Sequence, residues 1–229
     1  METNFTELVF ILDRSGSMGG MENDTIGGFN SMLAKQRSEP GACRITTVLF
    51  DHKCEVLHDR IDIKAVGNIS AREYYVRGST ALLDAVGKTI KKINTVRKNT
   101  AKEHRAGKVL FVITTDGLEN ASREFTIEKV KSLVERHKKK HGWEFIFLGA
   151  NIDAIDVAGS FGIARNRTQD YINDSEGVAL NYTVLSETVS AFRSGPPCAA
   201  ISDNWGSKIS SDYKSRNKQQ CDENTKGGA

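Results

Sequence analysis

The chain has 229 residues, of which 38 % are hydrophobic and 27 % are charged, and its formal net charge is +3. This length and composition fit one large globular domain and exclude a disulfide scaffold, a collagen-like chain and a wholly disordered chain. The longest apolar runs, at residues 8–12 and 109–113, hold about five residues, against the roughly 20 that a membrane-spanning helix needs. Residues 1–4 lack the basic segment of a signal peptide and no apolar segment follows them, so we expect a cytoplasmic protein without membrane contacts.

Apolar runs alternate with helical repeats along the chain. The run at 8–12 predicts a strand buried on both faces, and apolar residues at three- and four-residue steps over 26–33 predict the helix that follows it. Residues 45–50 and 55–61 predict a hairpin around the turn at 51–53. Further strands are predicted at 109–114, 145–148 and 163–168, and further helices at 82–93, 127–134, 152–158 and 178–192.

Strands separated by helices form βαβ units, and these predict the fold class. We expect an α/β domain with a doubly wound, mostly parallel six-stranded sheet, one antiparallel edge strand and helices on both faces. Residues 1–195 form this predicted domain. Residues 196–229 are polar, with few large apolar side chains, and predict a weakly ordered tail in which a short segment around Trp205 docks.

Oxygen-bearing side chains follow the predicted parallel strands. Asp13, Ser15 and Ser17 come directly after the first strand, Thr80 precedes the helix at 82–93, and Asp116 follows the strand at 109–114. In an open parallel sheet, ligands bind at the carboxyl ends of the strands. Two carboxylates and three hydroxyls are hard donors that suit Mg²⁺, Mn²⁺ or Ca²⁺ rather than zinc or copper.

These residues carry a resemblance to a known family. The Asp-x-Ser-x-Ser sequence at 13–17, together with Thr80 and Asp116, resembles the metal-ion-dependent adhesion site of von Willebrand factor A domains, and the similarity covers residues 5–193. It implies that Ser15, Ser17 and Thr80 bind the metal, while Asp13 and Asp116 act through waters or accept hydrogen bonds from the serines. The last helix moves when such a site switches, so residues 178–192 would move here.

The resemblance also implies a function. One coordination position stays open for a Glu or Asp side chain of a partner protein, and we expect a monomer acting as a binding module rather than an enzyme. The compact chain is most similar to single-domain bacterial and phage members associated with tellurite resistance and stress operons. Around the motif, we expect Arg14 to be solvated, Asp84 to fix a loop rather than orient a water, and Glu119 and Asn120 to lie on an exposed rim.

Two other functions remain as alternatives. A metal-dependent hydrolase or phosphatase needs a general base or a second metal, and the motif loops contain no His, Cys or Lys. Basic helical segments at 88–108 and 129–140, with eight and six Lys or Arg residues, suit a nucleic-acid partner, but no aromatic residues alternate with the lysines. The four cysteines, none in a metal-binding spacing, are expected to be free thiols.

Overall fold

The computed structural model describes residues 3–196 and 200–226. Its centre is a six-stranded sheet in the order β3-β2-β1-β4-β5-β6. Every neighbouring pair is parallel except β2 and β3, which form the predicted antiparallel hairpin at one edge. The strands are β1 (Thr3–Asp13), β2 (Cys43–Phe50), β3 (Cys54–Asp62), β4 (Ala106–Thr115), β5 (Glu144–Gly149) and β6 (Thr168–Asp170).

Helices cover both faces of this sheet, as the sequence predicts. They are α1 (Glu22–Ser38), α2 (Leu82–Asn99), α3 (Ile127–His141), α4 (Ala154–Ser160), α5 (Ser175–Ser194) and α6 (Ser207–Lys226). One face carries α1 and α5, and the other carries α2, α3 and α4. The fold class is therefore confirmed.

Strand β1 shows why its apolar run is continuous. Leu8, Phe10 and Leu12 join the core beneath α1 and α5, whereas Val9 and Ile11 join the core beneath α2 and α3. All five are at most 1 % exposed. Because alternate side chains of a central parallel strand enter two different cores, the strand needs an apolar residue at every position.

The strand order reverses its direction at β1. The chain runs from β1 outward to β2 and β3, then returns across the sheet to place β4 on the other side of β1. Adjacent crossovers therefore leave in opposite directions, which opens a crevice at the carboxyl ends of β1 and β4. This crevice contains the end of β1 at Asp13 and the end of β4 at Thr115.

The C-terminal segment is more ordered than its sequence predicts. Helix α6 follows Gly206, and Ile201, Trp205 and Ile209 are each at most 8 % exposed within the core beneath α5. The indole N–H of Trp205 donates a hydrogen bond to the carbonyl oxygen of Asn166 at 2.9 Å. Docking of residues near Trp205 was predicted, but the helix was not, because three apolar side chains anchor a segment that is otherwise polar.

Three smaller findings complete the fold. The last strand begins at Thr168, where the sequence prediction of 163–168 ends. Cys43 and Cys54 are free thiols, and burial raises their pKa values to about 12 and about 11. Cys198 and the side chain of Cys221 lie outside the described residues. Among the helices of the described part, none is long and apolar enough to cross a membrane.

Candidate metal centre

The turn after β1 holds the first three residues of the motif. The backbone N–H of Ser15 donates to Asp13 Oδ1 at 2.7 Å, which closes the turn onto the end of the strand. The hydroxyl oxygens of Ser15 and Ser17 are 3.0 Å apart. Asp13 and Ser15 are each about 1 % exposed, whereas Ser17 is exposed, so the cluster opens to solvent through Ser17.

Asp116, after β4, reaches the same cluster. The Ser17 hydroxyl donates to Asp116 Oδ1 at 2.5 Å, and the side-chain amide of Asn173 donates to Asp116 Oδ2 at 2.9 Å. Asp13 is tied to β4 in turn, because the Thr115 hydroxyl donates to its Oδ2 at 2.5 Å. The two carboxylates are thus held from neighbouring strands, and both have hydroxyl partners.

Thr80 enters from the loop before α2. Its backbone N–H donates to Asn120 Oδ1 at 2.9 Å, which fixes Thr80 against the loop after β4. A Cβ atom built on Gly117 would lie 3.0 Å from Thr80 Oγ1, 3.1 Å from Ser17 Oγ and 3.9 Å from Ser15 Oγ. The three hydroxyls therefore converge on Gly117, and its missing side chain leaves space among them. The structure brings together all five residues that the sequence singled out.

The electrostatics of this cluster favour a cation. Burial raises the pKa of Asp13 to about 6, although hydrogen bonds from Thr115 and Ser15 oppose the shift and the charge of Asp116 adds to it. Burial likewise raises the pKa of Asp116 against the hydrogen bond from Ser17. Two buried carboxylates side by side are costly when both are ionised, and a bound cation offsets that cost.

The donor set fits a hard divalent cation. Every group at the centre is a hydroxyl or carboxylate oxygen, the ligand type of Mg²⁺, Mn²⁺ and Ca²⁺. Across residues 3–196 and 200–226, no group of three or more His, Cys, Asp or Glu side chains is arranged to hold a metal ion. The hydroxyls of Ser15, Ser17 and Thr80 would therefore have to supply ligands here, as the sequence predicts.

The expectation that Arg14 is solvated is wrong. The residue is 0 % exposed. Its Nε donates to Asp51 Oδ2 at 3.0 Å and one terminal nitrogen donates to Glu55 at 2.6 Å. The backbone N–H of Arg14 also donates to the Phe50 carbonyl at 2.8 Å. The side chain points into the hairpin instead of outward, and so anchors the motif turn to the β2–β3 turn.

Two acidic side chains, Asp84 on α2 and Glu119 in the loop after β4, hold that loop in place. Asp84 accepts hydrogen bonds from the backbone N–H groups of Arg123, Glu124 and Phe125 at 2.9–3.2 Å, which confirms that it fixes a loop. Glu119 accepts from the backbone N–H groups of Leu83, Ala121 and Ser122 at 2.7–2.9 Å. Asn120 is exposed on the rim as expected and Glu119 is half-buried, and their hydrogen bonds also hold the loop against α2 and Thr80.

Three further residues support the site and carry no motif of their own. The Tyr74 hydroxyl donates a hydrogen bond to the carbonyl oxygen of Asp13 at 2.5 Å, from the segment between β3 and α2. Asn173 lies immediately before Asp174, the residue that caps α5. His52 lies in the turn of the hairpin, and its ring packs against Gly78, two residues before Thr80. These contacts join residues that are far apart in the sequence, so no local sequence pattern predicts them.

Solved structures share this architecture. A von Willebrand factor type A protein from Catenulispora acidiphila matches with a TM-score of 0.57 at 12 % identity, covering 81 % of this chain and 42 % of its own. The von Willebrand domain of the type V pilus tip protein Mfa5 from Porphyromonas gingivalis matches with a TM-score of 0.56 at 12 % identity, covering 86 % of this chain and 98 % of its own. The chain has the von Willebrand factor A fold.

A third match with the von Willebrand factor A fold contains a metal. Proximal thread matrix protein 1 from mussel byssus, solved with a zinc-occupied MIDAS motif, has a TM-score of 0.55 at 12 % identity over 81 % of this chain and 46 % of its own. The chain spans less than half the length of the first von Willebrand structures that it matches. No protein-family model matches the sequence, and no curated protein is significantly similar to it.

Proposed function

We propose that the protein is a metal-dependent interaction module whose cation is held by Asp13, Ser15, Ser17, Thr80 and Asp116. The observation that carries this proposal is the convergence of the hydroxyls of Ser15, Ser17 and Thr80 on Gly117, with Asp116 accepting a hydrogen bond from the Ser17 hydroxyl at 2.5 Å. The mussel protein with a zinc-occupied MIDAS motif supports divalent binding in this fold. Mg²⁺ is the cation that we propose, with Mn²⁺ or Ca²⁺ as substitutes.

The chemistry of the site follows from its neutral ligands. A divalent ion bound mainly by hydroxyls retains much of its positive charge and attracts an anionic oxygen at an open position. Asp116 accepts from the Ser17 hydroxyl, Asp13 accepts from the backbone N–H of Ser15, and both carboxylates supply negative charge beside the hydroxyls. We propose that the anionic oxygen is a Glu or Asp carboxylate on a partner protein.

The surface beside the site favours a particular partner chemistry. Leu118 follows Asp116 and Gly117 directly and its side chain is 62 % exposed, the largest exposure among the large apolar residues of the described chain. Tyr75 is 41 % exposed on the loop that leads to Thr80. An acidic residue flanked by apolar side chains would therefore be complementary to this face.

We further propose that the module binds and does not catalyse. Its five ligand candidates contact hydroxyls, amides and backbone groups, and Nδ1 of the nearby His52 lies 3.1 Å from Asp51 Oδ1 rather than at the centre. A hydrolase would need a base directed at the reacting water. Placement in an intracellular bacterial stress or assembly complex rests on the sequence resemblance, and Mfa5, a pilus protein, has the same fold in another setting.

The test is calorimetric titration of Mg²⁺ and Mn²⁺ into the wild-type protein, Asp116→Asn and Asp13→Ala. We expect one saturable site in the wild type and its loss in both variants, because each variant removes a charge that holds the hydroxyls in place. Asp156→Asn, which changes an exposed carboxylate on α4 in the same way, should bind like the wild type.

Acetate serves as the probe for the open position. We expect it to bind the Mn²⁺-loaded wild type weakly and to show no binding when the metal is chelated. Saturable metal binding that persists unchanged in Asp116→Asn would overturn the assigned site. Metal binding without any metal-dependent acetate binding would overturn the partner chemistry and leave the metal site standing.

A further inference from the structure

A second concave site lies at the amino ends of the parallel strands, opposite the candidate metal centre at their carboxyl ends. It is a pocket of about 290 Å³ between the last turns of α2 and α3 and the segment that leads into β4. Arg105 immediately precedes β4 and Asp116 immediately follows it, so the ten-residue strand separates the two sites by roughly 30 Å. We call this site the basic pocket.

The lining of the basic pocket is almost entirely cationic. Its charged residues are Arg97, Lys98, Arg105, Arg136 and Lys140, and it contains no acidic side chain. Of the acids on neighbouring elements, Glu135 lies beside Gly162, and Glu7 pairs with Arg60 at 2.9 Å in a small adjoining cavity that Arg97 and Arg105 also line. Within the described residues, no ion pair joins Lys98, Arg136 or Lys140 to a carboxylate. The two basic segments of the sequence therefore meet here.

Part of this lining is held in place. Arg97 donates a hydrogen bond to the carbonyl oxygen of Ala106 at 3.2 Å, and Nε of Arg105 donates to the carbonyl oxygen of Thr100 at 2.9 Å. These bonds fix the two guanidinium groups against the backbone before any ligand arrives. Lys98, Arg136 and Lys140 are exposed and can turn toward an anion.

His137 supplies the observation that points to a ligand. It lines the basic pocket and is only 2 % exposed, yet neither of its ring nitrogens has a hydrogen-bond partner. Its ring stacks on Trp143 at a centroid distance of 4.3 Å and beside His141 at 5.4 Å. Buried polar side chains are normally hydrogen-bonded, so an unpartnered imidazole at the wall of a pocket requires an explanation.

The helix dipoles do not account for this arrangement. Basic residues in the last turn stabilise a helix C-terminus, which explains charges on α2 and α3 singly. Helix dipoles do not explain why Arg105, which lies outside both helices, lines the same pocket, or why the buried His137 lacks a hydrogen-bond partner. Lys98, Arg136 and Lys140 have no ion-pair partner among the described residues, and like charges held together in this way are unfavourable unless an anion neutralises them.

We propose that the basic pocket binds a small, multiply charged phosphate anion of the pyrophosphate or nucleoside-polyphosphate class. The planar guanidinium groups match phosphate oxygens in geometry, and His137 can donate its ring N–H to one of them. The volume, at the lower limit for small-molecule sites, fits a compact anion. This inference is independent of the metal centre.

The test titrates pyrophosphate and ATP into the full chain at low ionic strength with a chelator present. We expect one saturable site, together with a shift in the His137 ring resonances in the NMR spectrum. The double variant Arg136→Gln/Lys140→Gln should weaken binding by about tenfold or more, because it removes two charge-assisted contacts. Asp13→Ala, at the carboxyl ends of the strands, should bind pyrophosphate like the wild type.

The matched control removes two charges from the same helix outside the pocket. Lys131→Gln/Lys139→Gln should retain wild-type affinity, since neither lysine lines the pocket. Equal weakening in both double variants would show diffuse attraction and overturn the site. The inference also fails if millimolar pyrophosphate gives no saturable binding, or if a single-stranded oligonucleotide displaces pyrophosphate and binds more tightly, which would indicate a nucleic-acid surface.

Discussion

At the scale of single residues, buried charge decides how the candidate metal centre is held. Arg14 lies inside the metal motif but faces away from the metal, toward Asp51 and Glu55. Asp51 is 0 % exposed and also accepts from Arg77 at 2.8 Å. Burial by itself would raise the pKa of Asp51, but these arginines and the backbone N–H of Lys53 outweigh burial and lower it. Asp51 therefore stays ionised between two cations.

This pairing predicts an unequal effect of two substitutions. Arg14→Ala should lower the free energy of unfolding by about 3 kcal/mol or more, because it leaves a buried carboxylate short of its buried partner. Arg77→Ala, which removes a side chain that is 37 % exposed, should cost about 1 kcal/mol or less. Urea denaturation of the three proteins measures both. Equal costs for the two variants would contradict this account of Asp51.

At the scale of elements, α6 is an addition whose attachment depends on few side chains. Ile201, Trp205 and Ile209 bury their apolar surface, and Arg167 donates to the carbonyl oxygen of Ile201 at 2.8 Å. Along α6 itself, Arg216 pairs with Asp174, the N-cap residue of α5. The helix is therefore attached by its apolar first turn, where Lys208 also pairs with Glu187, and by the ion pairs of Arg216 with Asp174 and Glu176 near its middle.

Removing the main apolar anchor should release this element. Trp205→Ala should lower the free energy of unfolding by about 3 kcal/mol and speed amide hydrogen exchange throughout α6, because the indole is the largest of the three buried apolar side chains there. Hydrogen exchange followed by mass spectrometry measures both the extent and the place of the change. Lys214→Ala, an exposed position on the same helix, is the control. Unchanged protection in Trp205→Ala would mean that the helix is attached by other contacts.

At the scale of the whole molecule, His137 couples stability to pH. Burial, with the nearby charges of Arg136, His141, Lys140 and Lys98 acting in the same direction, lowers its pKa to about 4 from an ordinary value of 6.5. The unfolded chain therefore takes up a proton near pH 6.5 that the folded chain resists until about pH 4. The stability is fully present above pH 6.5 and is lost as the pH falls through that interval.

The expected loss from this group is on the order of 2 kcal/mol at pH 5 relative to pH 7.5. His137→Phe keeps a ring to stack on Trp143 and removes the titration, so its unfolding free energy should fall less over the same range. Denaturant titrations at the two pH values, in buffer free of phosphate, measure the difference. His104→Asn, at an exposed position, should behave like the wild type, and an acid sensitivity that His137→Phe leaves intact would contradict the assignment.

The strands and the candidate ligands were more predictable from the sequence than the residues that support them. The buried strands and the order of the candidate ligands were predictable, because continuous apolar runs and polar residues at strand ends are local patterns. The burial of Arg14 was not, since an arginine in a polar turn is ordinarily solvated. Asn173 and Tyr74 reach the site from distant segments, and α6 depends on three apolar side chains in a polar stretch. Each of these features is set by contacts between residues far apart in the chain.

Helix α5 is held at both of its ends. At its C-terminal end the buried ammonium of Lys108 donates to the carbonyl oxygens of Phe192, Arg193 and Gly195 at 2.6–2.8 Å, and at its N-terminal end Asp174 pairs with Arg216. A slide of one helical turn, about 5.4 Å, would break all of these contacts at once. The helix movement that the resemblance implies would have to exchange all of these contacts, and we expect the helix to keep its position. A partner would then meet a site that is already formed, and association would follow a single exponential whose rate rises in proportion to partner concentration.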